Sequence, residues 1–194
     1  MQPSLVTRDL TVRFGGHVAV DGVTCAFTPG QLTAIVGPNG AGKTTYFNLI
    51  SGQIRATSGR VELLGRDITR LPVAARTEAG LGRAFQLTNL FPRLTVLENV
   101  RLVVQARARR GFNLWTMAQG HRDLTEAAEA VLDRVRLTAL AHQTVSALSH
   151  GDQRKLEVAA MIALQPRVFM FDEPTAGMSV EEAPVILDLI AGIK

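Results

Sequence analysis

A single cysteine, Cys25, stands among the 194 residues, so no disulfide can form within the chain and a reducing compartment suits it. Cys25 lies in the apolar run Val23–Phe27 and is expected to be a small core residue. Long apolar runs are missing too. None approaches the roughly 18 residues needed to cross a bilayer, so any role at a membrane must come through a partner. The amino terminus, Met1-Gln2-Pro3-Ser4, has no secretory pattern. Internal repeats and low-complexity tracts are absent, which excludes solenoids and arrays. Charge of one sign is not in large excess: 21 Lys and Arg against 17 Asp and Glu leave a net +4. That balance is compatible with nucleic acid, an anionic surface or a bound nucleotide, and decides among none of them. The remaining composition, 46% hydrophobic and 20% charged, is that of one globular domain, with room for an attached lobe.

Against that plain background one stretch is specific. Gly37-Pro38-Asn39-Gly40-Ala41-Gly42-Lys43-Thr44-Thr45 matches the phosphate-binding loop G-x-x-x-x-G-K-[ST] without a mismatch. Leu32–Val36 before it is apolar and β-branched and predicts a buried strand, while Thr45–Ile50 after it predicts a helix start. Gly37, Gly40 and Gly42 allow backbone N–H groups to turn inward, into conformations a side chain would obstruct. Those donors and the helix N-terminus suit a polyphosphate. Lys43 would reach the β- and γ-phosphates, and the Thr44 hydroxyl would ligate Mg²⁺. The pattern predicts a nucleoside triphosphate site.

The other elements follow from periodicity and punctuation. Leu5–Phe14 and Val18–Phe27 predict strands on either side of Gly15-Gly16, and Arg60–Leu64 another after Thr57-Ser58-Gly59. Phe14, just before the turn, is either a core residue or an aromatic face for a purine. Ala74–Glu78 predicts a short helix and Leu81–Phe85 a strand-like approach to Gln86, which has no role by residue type alone. Glu98–Arg110 predicts a helix rich in arginine (Arg101, Arg107, Arg109, Arg110), a solvated or partner-facing surface more readily than a nucleic-acid contact. Gly111–Gly120, with Trp115, reads as a connector or a short helix. Leu124, Ala127, Ala128, Val131, Leu132 and Val135 recur as one face of an amphipathic helix.

Two motifs remain. Leu148-Ser149-His150-Gly151-Asp152-Gln153 precedes a helix expected from about Gln153 to Leu164, with Ser149 as a cap and Gly151 permitting close approach of a ligand. Val168-Phe169-Met170-Phe171-Asp172-Glu173 is a predicted buried strand ending in two acids. Beside a phosphate loop, Asp172 would hold Mg²⁺ through its water shell and Glu173 would orient or deprotonate the attacking water. Ser179-Val180-Glu181-Glu182 fits a capping box opening a last helix, with Pro184 early in it.

Taken together, these motifs resemble the nucleotide-binding domain of an ATP-binding-cassette (ABC) transporter, in order and over nearly the whole chain. Gly37–Thr45 resembles Walker A, Gln86 the Q-loop glutamine, Leu148–Gln153 the signature motif, Val168–Glu173 Walker B, and Ala176–Ser179 the D-loop. The resemblance implies an α/β fold: a P-loop NTPase with a RecA-like core, an N-terminal antiparallel β-subdomain and an inserted α-helical subdomain. Core and β-subdomain would take approximately residues 1–86 and 165–194, and the helical subdomain residues 87–164. It implies ATP and Mg²⁺ as ligands, with Phe14 stacked on adenine and Pro38, Asn39, Ala41 and Thr45 among the loop residues around the phosphates. Thr44, Gln86 and Asp172 would serve the metal, and Glu173 with Gln86 catalysis. Ser149, Gly151 and Asp152 would meet the γ-phosphate across a head-to-tail pair of such domains.

Arg83-Ala84-Phe85-Gln86, Leu90-Phe91-Pro92, Leu94–Val100, Leu148–Arg154 and Ala176-Gly177-Met178 resemble the importers of branched-chain amino acids, and much of this pattern is shared by importers of urea and amides. That implies transmembrane partner subunits, a second ATP-binding subunit, no nucleic acid, and a peripheral place on the cytoplasmic face of the membrane. The family also carries a histidine on a strand beyond the last predicted helix. His17, His121, His142 and His150 all precede Glu173, so the resemblance implies a cassette incomplete at its C-terminus, with core strands lacking and apolar surface exposed. Two alternatives stand beside an importer ATPase: a non-catalytic nucleotide-binding module, and an ABC-type ATPase acting on nucleic acid.

Overall fold

The computed structural model describes residues 2–84, 90–108 and 121–193. Gln86, Arg109, Arg110 and the segment around Trp115 lie outside them. The chain divides into two compact units, residues 2–83 with 166–172, and residues 84–165 with 173–193.

The first unit begins with a hairpin. β1 (Leu5–Phe14) pairs antiparallel with β2 (His17–Phe27) across the Gly15-Gly16 turn, and on its other side with β3 (Ser58–Leu63). β4 (Arg66–Asp67) completes a four-stranded sheet in the order β2-β1-β3-β4. Alternation along β3, and along β1 on either side of a register shift between Thr7 and Leu10, sends Leu5, Leu10, Val12, Val61 and Leu63 into a core shared with Tyr46, Leu49 and Ile50 of α1 (Lys43–Ser51). Each such aliphatic side chain contributes about 1.5–3 kcal/mol when fully buried. The Tyr46 hydroxyl shares a 2.7 Å hydrogen bond with Thr7 Oγ1, and burial pushes the phenol pKa above its ordinary range.

Arg76 on α2 (Val73–Glu78) is only 3% exposed and has backbone carbonyls for partners. It donates to Leu49 O and Ile50 O at the end of α1, and to Thr69 O and Leu71 O in the loop before α2. A cation there satisfies orphan carbonyls and opposes the helix dipole, so it anchors the rear of the phosphate-loop helix. β5 (Leu81–Ala84) pairs with β6 (Val168–Phe171) in a second sheet, with Leu81 and Met170 buried.

Two expectations fail in this unit. Leu32–Val36 forms no strand; Leu32 is 67% and Val36 87% exposed, and of this run Ile35 packs on the core. Apolar, β-branched residues make a strand possible, but only a neighbouring ladder makes one. β5 and β6 pair with each other, and no described strand pairs with Leu32–Val36. Cys25 is exposed and not in the core, because β2 is the edge strand of its sheet and most of its side chains are open to solvent.

The second unit is helical. α3 (Val96–Arg107) opens with a reciprocal capping box: Thr95 Oγ1 accepts from Glu98 N, and the Glu98 carboxylate accepts from Thr95 N. These bonds pull the Glu98 pKa below its ordinary value. The helix therefore starts two residues before the expected Glu98. α4 (His121–Arg134) buries Leu124, Ala128 and Leu132, as its spacing predicts, while Val131 is half-buried and Ala127, expected on the same face, is exposed. Both α3 and α4 pack against α5 (His150–Leu164), whose core side includes Leu156, Ala159 and Ile162. Arg107 donates to Ala163 O near the end of α5, so this arginine of the basic face serves packing within the unit. α6 (Glu182–Ala191) completes the unit against α5. Ser179 and Glu182 exchange the hydrogen bonds of a capping box before α6.

Candidate functional site

The phosphate loop runs directly into α1. Gly40 and Gly42 both adopt φ near +81°, and Gly42 caps the helix. A Cβ on Gly42 would lie 2.4 Å from Ala19 O, so space as well as backbone angle requires glycine there. Gly37 is different. It lies outside the left-handed region, and a Cβ on it would make ordinary contact, 3.4 Å from that of Ala41. The expectation that Gly37 must be glycine for its backbone conformation is thus not met. Lys43 Nζ donates to Gly37 O at 2.6 Å and Pro38 O at 2.8 Å, folding across the loop. The residues from Pro38 to Ala41 make a turn closed by Ala41 N donating to Pro38 O. Thr44 and Thr45 occupy the first turn of α1, and Asn39 lies in the turn between Pro38 and Gly40.

Asp172 follows β6 and is 6% exposed. Its Oδ2 receives Arg83 Nη2 at 3.0 Å, with both side chains buried. Arg83 Nη1 meanwhile donates to Asn48 Oδ1 and Ser51 Oγ of α1, both at 2.7 Å. One guanidinium thus ties the phosphate-loop helix to the carboxylate at the end of β6. Burial draws the Arg83 pKa down, and Asp172 acts against that shift. Residue order offered no role for Arg83. The available signal was a cation inside the short apolar run Leu81–Phe85, where a buried charge needs a counter-ion.

Phe14 ends β1 and is 50% exposed, so it is not a core residue. An open aromatic face suits stacking on a base. Phe14→Ala is expected to weaken ATP by about tenfold or more, from a stacking contribution of about 1–3 kcal/mol, while leaving inorganic triphosphate binding unchanged. Equal losses for both ligands, measured by calorimetry, would remove Phe14 from the base site.

In the second unit, Ser149 caps α5 as expected: its Oγ accepts from Asp152 N at 3.1 Å and donates to Asp152 Oδ2 at 2.8 Å. The helix begins at His150, three residues before the expected start. Burial works against ionising Asp152, yet Lys155 and Ser149 together hold its pKa below the ordinary value. A Cβ on Gly151 would lie 2.4 Å from Glu182 Oε1, so the missing side chain makes room for a carboxylate of α6. That close approach of Glu182 was not visible in the motif. Glu173 is exposed and has φ +48°, a left-handed conformation that a residue with a Cβ rarely adopts. Gln86 lies outside the described residues.

The side chains that sequence reading assigns to a metal carry oxygen donors, the type a hard divalent cation takes. Thr44 supplies a hydroxyl and Asp172 a carboxylate, the oxygen chemistry that Mg²⁺ takes when substrate phosphates complete its shell. Among the described residues no helix is long and apolar enough to cross a membrane.

The comparisons with known proteins agree with this geometry. Residues 20–176 match the family model described as ABC transporter. The whole chain aligns with the high-affinity branched-chain amino acid transport ATP-binding protein BraF of Pseudomonas aeruginosa, at 37% identity over 78% of that protein. It aligns likewise with the corresponding LivG protein of Escherichia coli, at 35% identity over 78%. Among solved structures, the ADP conformation of MJ1267, an ATP-binding cassette of an ABC transporter, superposes with a TM-score of 0.84. That match has 28% identity and covers all of this chain and 77% of that one. A phosphate loop continuous with its helix, an acid-terminated strand and full-length similarity converge on one assignment: the chain belongs to the ABC transporter family, as an α/β ATP-binding cassette of the P-loop ATPase class.

Proposed function

We propose that this cassette is the ATP-binding subunit of an importer for branched-chain amino acids or a related small polar solute such as urea or an amide. The observation that supports it most is the loop of Gly40, Gly42 and Lys43 at the head of α1, in a chain similar throughout to branched-chain amino acid transport proteins. Backbone donors of residues 37–45 cradle the triphosphate, Lys43 leaves its loop carbonyls for the β- and γ-phosphates, and Phe14 covers the adenine. Thr44 and Asp172, with Gln86, would hold Mg²⁺, which would offset negative charge on the phosphates. Glu173 accepts a proton from the water that attacks the γ-phosphorus. Ser149, Gly151 and Asp152 face the γ-phosphate of a second ATP-binding subunit. Closure of that pair moves transmembrane subunits, which choose the solute and hold the cassette at the cytoplasmic face of the membrane.

ATP binding and phosphate release, measured side by side with Mg²⁺, test this reading. Binding with release that rises in the presence of the membrane subunits is expected, together with co-purification of those subunits. Binding without release under any pairing would favour a non-catalytic module. Strong, salt-sensitive affinity for DNA would favour the nucleic-acid class instead.

A further inference from the structure

Glu173 sits on a backbone that needs support. Its φ of +48° is sterically unfavourable for a residue with a Cβ, and such conformations persist only where surroundings enforce them. The enforcing contacts come from α5. Arg154 Nη2 donates to Glu173 O at 3.1 Å, and Arg154 Nε donates to Pro174 O at 3.1 Å. One planar guanidinium therefore grips two successive carbonyls. Its third nitrogen, Nη1, binds Glu157 Oε2 one turn along the same helix. Glu157 is 9% exposed, and its Oε1 is buried without a hydrogen-bond partner among the described residues. Burial raises the Glu157 pKa while Arg154 opposes that shift. A carboxylate kept in so dry a place has one evident task here, which is to fix the guanidinium.

We infer that Arg154, held by Glu157, is a positioning residue that locks the left-handed backbone of Glu173 and thereby aims its carboxylate at the attacking water. This rests on the reading of Glu173 as the base. Neither Arg154 nor Glu157 touches the reacting atoms. They act through the two carbonyls, and a lysine at 154 would keep the charge while losing the fork that spans them.

The test is a double-mutant cycle of Arg154→Lys and Glu173→Gln on the full protein assembled with its partner subunits. It is read as kcat, as ATP affinity, and as hydrogen exchange at the Ala176 amide, which donates to the same Glu173 O. Arg154→Lys is expected to lower kcat about ten- to a hundredfold, to leave ATP affinity unchanged and to speed Ala176 exchange. In the Glu173→Gln background it should lower kcat no further. An equal loss in both backgrounds would mean that Arg154 acts elsewhere, and wild-type kcat in Arg154→Lys would overturn the inference outright. Unchanged Ala176 exchange beside an inactive Glu173→Gln would defeat the positioning alone. Normal turnover in Glu173→Gln would remove the base, and this role with it.

Discussion

Glu173→Gln should bind ATP as tightly as the parent and hydrolyse it about a thousandfold more slowly, within the 10²–10⁴ that a positioned base contributes. The substitution keeps the length and shape of the side chain, and it leaves untouched the carbonyl that Arg154 and the Ala176 amide share. The negative charge and, with it, the capacity to take a proton are lost. Glu173 is exposed, so no core contact is disturbed and thermal stability should stay close to the parent value. Phosphate release at saturating MgATP, beside a binding isotherm, decides the matter. Unchanged release would exclude Glu173 as the base, whereas lost binding would mean that its carboxylate contributes to the ground-state site.

Lys43→Ala should abolish nucleotide binding at concentrations where the parent saturates. In the structure the ammonium rests on Gly37 O and Pro38 O, two neutral acceptors at the mouth of the loop. Exchanging them for anionic phosphate oxygens replaces ion–dipole hydrogen bonds with ion-pair ones, and hydrogen bonds to charged groups are worth about 1.5–3 kcal/mol each. Two such bonds amount to a loss in affinity of about a hundredfold or more. The fold should survive, since Tyr46, Leu49 and Ile50 anchor α1 in the core and Lys43 takes no part there. Calorimetry with MgATP, alongside the unfolding temperature of the free protein, separates the two effects. ATP affinity that persists in Lys43→Ala would refute the phosphate-loop assignment.

Much of this was legible before any coordinates. The loop motif fixes the helix after it but not the strand expected before it, so α1 and its left-handed Gly42 follow from Gly37–Thr45 alone. Alternation placed β1 and β3, and the Leu124, Ala128, Leu132 repeat placed the buried face of α4. Helix starts were less legible, although the signals were present. Thr95 and Glu98 form a capping box, and Ser149 caps α5 through Asp152, but both helices were expected to begin later because polar first turns lack apolar periodicity. Partnership was not legible. Whether Leu32–Val36 joins a sheet depends on neighbours distant in sequence, and the pairings of Arg83 with Asp172 and Arg154 with Glu173 O span 89 and 19 positions. A motif names the residue that meets the ligand. The residues that hold it still belong to tertiary structure.

The open run from Leu32 to Val36 affects how the protein behaves in a tube or on a ribosome. Leu32, Thr33, Ala34 and Val36 are exposed and carry no charge, the run has no proline, and among the described residues no strand pairs with it, which leaves its edge open to any neighbour able to match it. A second molecule is such a neighbour at the concentrations of purification, so light scattering should grow faster than linearly with concentration. A holdase chaperone that recognises extended apolar segments would find its binding site there. The exposed run immediately before the nucleotide site is therefore expected to make this chain associate with itself during storage.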